Sequence, residues 1–313
     1  MAVIVVPFLD AAVRDLIRVP GAPAVDFTTP CGEPALAPPD SVSWRVFKNP
    51  VALFIGGVAA VILELAEPAV RTGVWEHTSF RSDPGRRLRR TGLAAMVTVY
   101  GARSVAEQMI AGVVRMHGKV RGMTPAGEVY HANDVRLLTW VQATAAWGFV
   151  EAYARYVQPL ALEELDRFYV EGAPAARLYG AIGMPTSKVG VEALFDSMRP
   201  RLEASPVVHE FLDIMRTAPV LPAALRPAQR LLVRAAVDMT PGWVRERLEL
   251  VDELGLANWQ RWLVCRSGAL ADQVMLPSSP AVQSCRRLGL PADYLYGNSA
   301  LILPADVQGP LDR

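Results

Sequence analysis

The sequence has few of the residues from which protein-only metal sites are built: four histidines and three cysteines in 313 residues. The cysteines, Cys31, Cys265 and Cys285, are scattered and odd in number, which fits a reducing cytoplasm. No C-x-x-C-H occurs, so covalent attachment of a c-type haem is not indicated. No H-E-x-x-H occurs, and the histidines are too dispersed for a zinc site. A di-iron bundle needs E-x-x-H twice on core-facing helices. Here it occurs once, from Glu128 to His131, and reads as chance. Also missing are a P-loop, a G-x-G-x-x-G after a strand, and a G-x-S-x-G elbow, which sets aside the common nucleotide and hydrolase sites.

Charge of one sign is missing too. The net charge is +1, which makes no electrostatic case for binding nucleic acid. No apolar run reaches the ~20 residues of a transmembrane helix. The most apolar window, Val51 to Ala66, contains Glu64 and Gly56-Gly57 and reads as a buried core helix. The start, MAVIVVPFLDAAVRD, lacks a basic region and meets Asp10 early, so it makes a poor signal peptide. The expectation is a cytoplasmic protein without a transmembrane segment.

What is present is apolar surface: 51% hydrophobic against 20% charged residues, with a mean hydropathy of +0.21. No internal repeat or linker divides the chain, so one large domain is expected. Residues 1–39 hold a helical pattern from Asp10 to Arg18 and then a Pro-rich, irregular arm. Residues 40–258 carry the helical domain, and 259–313 form an extension packed on it, with one helix and then Pro-rich segments. Strand-like alternation nowhere persists beyond four or five residues, so the fold class is all-α. Asn49-Pro50 is a helix start, with Asn as cap and Pro at the first helical position. Ser82 or Asp83 opens the next long helix, and Asn133 or Asp134 the one after.

Ala106, Ile110, Val113, His117 and Val120 recur at steps of three or four and share one helix face. An imidazole there is either a hydrogen-bonded core histidine or a metal ligand. One histidine cannot hold zinc, but it can hold haem, whose porphyrin supplies four ligands. Gly56-Gly57 costs roughly 1 kcal/mol per glycine in a helix. It signals close helix packing or a flat ligand lying on bare backbone. Arg87, Arg90 and Thr91 share a face that continues through Ala94 and Thr98. It is either a solvated basic face or a set of donors at the mouth of an apolar pocket.

The runs H-G-K-V-R-G (117–122), Y-H-A-N-D (130–134) and W-V-Q-A-T (140–144) resemble the signature of the MpaB/rubber-oxygenase catalytic domain family, which includes the latex-clearing proteins. NPVALFIGGVAAVILELAEPAV, GVWEHTSF, RRLRRT and TPGWVRERLEL add to the likeness, which spans about residues 40 to 250. The resemblance implies a multi-helix domain enclosing non-covalent haem b, globin-like at most by analogy. His117 would be the proximal iron ligand. Arg87, Gly56, Gly57 and Met109 would help bind the cofactor, and Arg87, Arg90 and Thr91 would serve catalysis. Phe54 and Met96 are further candidate linings. The implied reaction is oxygen-dependent oxidation of a hydrophobic, unsaturated or isoprenoid-like substrate. Dioxygen is the co-substrate, and the electron donor is not specified. Two positions depart from the family. Arg90 stands where latex-clearing proteins have lysine, and arginine is a poor iron ligand because it does not readily lose its proton. Gln142 stands where histidine is usual. Both changes leave room for a second reading, a haem or hydrophobic-ligand carrier or sensor without turnover. A third is a helical protein that has lost haem, with His117 bonded in the core. Glu76 and His77 are either acid–base groups at a distal entrance or caps. His131 reads as exposed and His209 as structural.

Overall fold

The computed structural model describes residues 10, 14, 18–21, 24–219, 225–250 and 255–296. Among them are thirteen α-helices and one two-stranded ribbon. The helices are α1 (Val42–Phe47), α2 (Pro50–Ala66), α3 (Pro68–His77), α4 (Pro84–Tyr100), α5 (Arg103–His117), α6 (Val135–Tyr156), α7 (Leu162–Tyr179), α8 (Lys188–Met198), α9 (Pro206–Thr217), α10 (Arg226–Met239), α11 (Gly242–Arg247), α12 (Asn258–Ala271) and α13 (Pro280–Arg287). The fold is all-α, as the sequence pattern required. Most of the helix expected at Asp10 to Arg18 lies outside the described residues.

α2 is the axis of the molecule. Asn49 caps it by accepting from the N–H groups of Val51 and Ala52, at 3.1 and 3.0 Å. Pro50 opens it at no cost in hydrogen bonds. Ile55, Ile62, Leu63 and Leu65 are fully buried, and α6 crosses it closely. At the crossing, a Cβ on Gly56 would stand 2.5 Å from the Gly148 carbonyl oxygen. Gly56 therefore serves close helix packing, one of the two readings of the pair. No single helix among the described residues is long and apolar enough to cross a membrane. α2 and α3 reach that length only as a pair bent by 109°.

α5 ends at His117, earlier than its apolar pattern suggested. The chain then forms β1 (Arg121–Met123) and β2 (Val129–His131), antiparallel with Gly122 opposite Tyr130. The Tyr130 ring lies across this glycine, where a Cβ would come 2.7 Å from the phenol oxygen. Ala132 N–H donates to the Val120 carbonyl and Asp134 caps α6. A buried carboxylate anchors the ribbon: Glu67 takes Arg136 at 2.9 Å, and Arg136 and Arg201 both also meet Glu128. Glu128, half of the lone E-x-x-H, is thus an ion-pair residue.

Both ends of the described chain pack on this body. The Arg287 guanidinium, 1% exposed, donates to the carbonyls of Glu33, Phe27 and Tyr100. It joins residues 24–39 to α13 and to the end of α4.

Candidate functional site

α2, α4, α5 and α6 each carry one half-buried face. On α2 this face runs through Phe54, Gly57, Val61 and Glu64, at steps of three and four. On α4 it carries Arg87, Ala94 and Thr98, on α5 Met109, Val113 and His117, and on α6 Gln142, Ala145 and Phe149. The helices approach through apolar contact; the Phe149 ring, for instance, lies 3.7 Å from where a Gly57 Cβ would be. Met96 is also half-buried, on the same helix as Arg87.

Arg87 lies within electrostatic range of two other ionisable groups, Glu64 and His117. Arg87 donates to the Thr91 hydroxyl, which itself donates to the Arg87 carbonyl at 3.1 Å. The Arg87 Nε is buried without a partner. Burial lowers the pKa of the guanidinium, and the nearby Glu64 carboxyl opposes that shift. Glu64 is half-buried on α2. Desolvation raises its pKa to about 7 against the attraction of Arg87. The third group is His117, half-buried at the last position of α5, with Nδ1 fully enclosed and unbonded. Burial, and then the charge of Arg87, pushes its pKa down. The imidazole is therefore neutral at neutral pH, the state in which a nitrogen lone pair is free to bind a metal.

Arg87 thus binds Thr91 and acts electrostatically on His117, and Met109 lies two turns before His117 on α5. Arg90 and Thr91 lie at the exposed rim. Gln142 is on the inner face. Glu76 and His77 are exposed at the end of α3, and His131 and His209 are exposed as well. Glu76 lies near Tyr130, whose phenol it helps to keep protonated after burial.

Glu64 is the residue that sequence reasoning passed over. Its signal was a lone carboxylate in the most apolar helix of the chain. Tyr179 is another: its hydroxyl lies 3.1 Å from that of Thr98, which continues the Arg87 face inward. Only the α4–α7 approach makes that pair visible.

The raised pKa of Glu64 has a consequence for stability. Unfolded glutamate ionises near 4.5, whereas Glu64 in the fold stays neutral to about pH 7. Its contribution is fully present below pH 4.5 and is lost as pH rises through 7. Glu64→Gln should match the wild type at pH 4.5 and exceed it at pH 8 by about 1–3 kcal/mol. Urea unfolding at the two pH values measures this, and an unchanged pH slope would place Glu64 in water.

No group of three or more His, Cys, Asp or Glu among the described residues could hold a metal ion. A metal at His117 would have to arrive in a group that carries its own ligands. No curated protein and no solved structure gives a match to the chain. The family described as "ER-bound oxygenase mpaB/B'/Rubber oxygenase, catalytic domain" matches residues 44–269, from the buried Trp44 in α1 to Ala269 in α12, and the chain belongs to that family.

Proposed function

We propose that this protein is a haem b-dependent oxygenase of a hydrophobic, unsaturated substrate, with His117 as the proximal iron ligand. One observation carries the reading. A neutral, half-buried imidazole with an enclosed, unbonded nitrogen lies within electrostatic range of Arg87, inside the region that matches an oxygenase family. The donor set fits haem, which needs one neutral nitrogen from the protein, an apolar slot and cations for its propionates.

When bound, haem supplies the oxygen chemistry. The chain's own groups set the conditions for it. Phe54, Gly57, Met96 and Met109 offer an apolar wall that excludes water and accepts a hydrocarbon chain. Arg90, exposed at the rim, suits a propionate or an entering polar end. It keeps its proton, so it does not compete for iron as a lysine can. Arg87 is held by Thr91 and keeps its buried Nε–H unpaired. Glu64, with a pKa near 7, can hold or release a proton beside it at physiological pH.

The test is an absorption spectrum of protein produced with adequate haem, beside His117→Ala. A Soret band in the wild type that is lost or shifted in the variant is expected. A colourless wild type, or an unchanged spectrum in the variant, rejects the ligand assignment. Oxygen uptake with an unsaturated lipid then separates an oxygenase from a haem carrier, which would bind oxygen without consuming it.

A further inference from the structure

The segment after His117 folds back on the helix that carries it, and one side chain does so with an atom to spare. Asn133 precedes the α6 cap, but the capping itself is done by Asp134. Asn133 instead reaches back to α5, and its Nδ2 donates to the Val114 carbonyl at 3.1 Å. That carbonyl also accepts the N–H of Gly118, so the amide sits where α5 ends. It lies over Gly118, the residue next to His117, whose Cβ would be 3.5 Å from Nδ2. A carbonyl can only accept, so this bond fixes which end of the amide is NH2 and turns Oδ1 the other way. Oδ1 is buried and has no partner.

His117 has the complementary gap. Its Nδ1 is buried and has no partner. An enclosed acceptor and an enclosed donor site, both unpaired, lie at the same helix end. Each carries an uncompensated desolvation penalty while it stays unpaired.

We infer that Asn133 is the positioning residue for His117: its Oδ1 accepts the Nδ1–H of the imidazole when that ring serves as a ligand. The bond fixes the tautomer that leaves the Nε2 lone pair free, and it sets the ring plane. Joining the two atoms requires the imidazole to turn toward the amide, and Nδ2 keeps the amide tied to the backbone while it does. This rests on the reading of His117 as a haem ligand. It assigns the outer partner from this chain's own residues and makes Asn133, rather than a carboxylate, the group that tunes the ligand.

The experiment compares haem-loaded wild type, Asn133→Ala and Asn133→Asp. It reads the iron–histidine vibration of the ferrous form by resonance Raman and the reduction potential by spectroelectrochemistry. A charged acceptor makes the imidazole a stronger donor. The aspartate variant should therefore raise the vibration frequency and lower the potential, and the alanine variant should do the reverse. Thermal unfolding of the same samples reports the loss of the Val114 bond separately. If both variants lose stability while vibration and potential stay at wild-type values, Asn133 only ties the helix end and the inference is overturned. If Asn133→Ala does not fold, Asn133→Asp alone decides by the same criterion. Wild-type protein without a Soret band overturns the haem reading, and this inference with it. A Soret band with unmoved vibrations overturns this inference alone.

Discussion

Gly56→Ala should destabilise the protein by about 3 kcal/mol or more, whereas Gly57→Ala, one residue on, should be neutral or stabilising by up to ~1 kcal/mol. The two positions have the same residue type, helix and exposure to sequence statistics. They differ in what a methyl group would meet. At Gly56 it would stand 2.5 Å from the Gly148 carbonyl oxygen and 2.8 Å from the Phe149 Cα. Both are backbone atoms of a helix that cannot yield locally. A methyl on Gly148 would likewise collide with the Gly56 carbonyl oxygen. Either change must push α2 and α6 apart along a crossing that buries Ile55, Ala59 and Ala152. At Gly57 the nearest atom is a Phe149 ring carbon at 3.7 Å, an ordinary contact, and alanine gains helix propensity. Urea denaturation of the two variants makes the comparison. Equal losses would mean that the helices are not packed backbone to backbone. In haem-loaded protein the order should reverse for a bulky change: Gly57→Phe should fold yet lose the Soret band, because that face borders the proposed slot.

The glycine pair also marks the limit of what could be read from the chain. Helix starts were legible because their chemistry is local. Asn49-Pro50, Asp83-Pro84 and Asp134 all cap the helices they precede. The same grammar opens α13, where Ser279 accepts from Val282 N–H and Pro280 is the first helical residue. There it was overlooked among prolines that seemed to forbid a helix. The β1–β2 ribbon left no periodic trace, since each strand is three residues long. It is held by contacts that no local pattern encodes: Tyr130 on Gly122, and Glu67 bound by Arg136 from the start of α6. At the site, Arg87 and His117 stood out as polar groups on half-buried helix faces. Glu64 did not, because in a helix apolar nearly all round a carboxylate reads as a flaw in the pattern. What it does depends on Arg87, 23 positions later, which only folding brings near. Choosing between packing and ligand binding for Gly56-Gly57 likewise needed the position of Gly148, which is 92 residues away.

Asp272→Ala should cost about 3–5 kcal/mol, because it strands a buried cation. The Lys48 side chain is 1% exposed; it donates to the Asp272 carboxylate at 2.9 Å and to its backbone carbonyl at 2.7 Å. The other carboxylate oxygen accepts from Asn49 at 3.1 Å, and Tyr153 approaches the first at 3.3 Å. Burial pushes the lysine pKa down while the aspartate opposes it, so removing the carboxylate leaves desolvation unopposed. Lys48→Met combined with Asp272→Leu should recover most of the loss, since an apolar pair of similar size avoids both desolvation costs. Asn49 is at once the partner of Asp272 and the cap of α2. Gly268, on the same helix as the cluster, has no room for a side chain against the Tyr156 carbonyl and takes Asn49 Nδ2 on its own carbonyl at 2.9 Å. The segment from residue 259 onward thus holds the first turn of the central helix. Thermal and urea unfolding of Asp272→Ala should accordingly remain one transition at lower stability. Two transitions, or a loss below about 1 kcal/mol, would mean that α12 can detach and let water reach Lys48 while the rest of the bundle stays folded. A single transition follows from the geometry, because α12 cannot leave without breaking the bonds that hold Asn49, the cap of α2, in place.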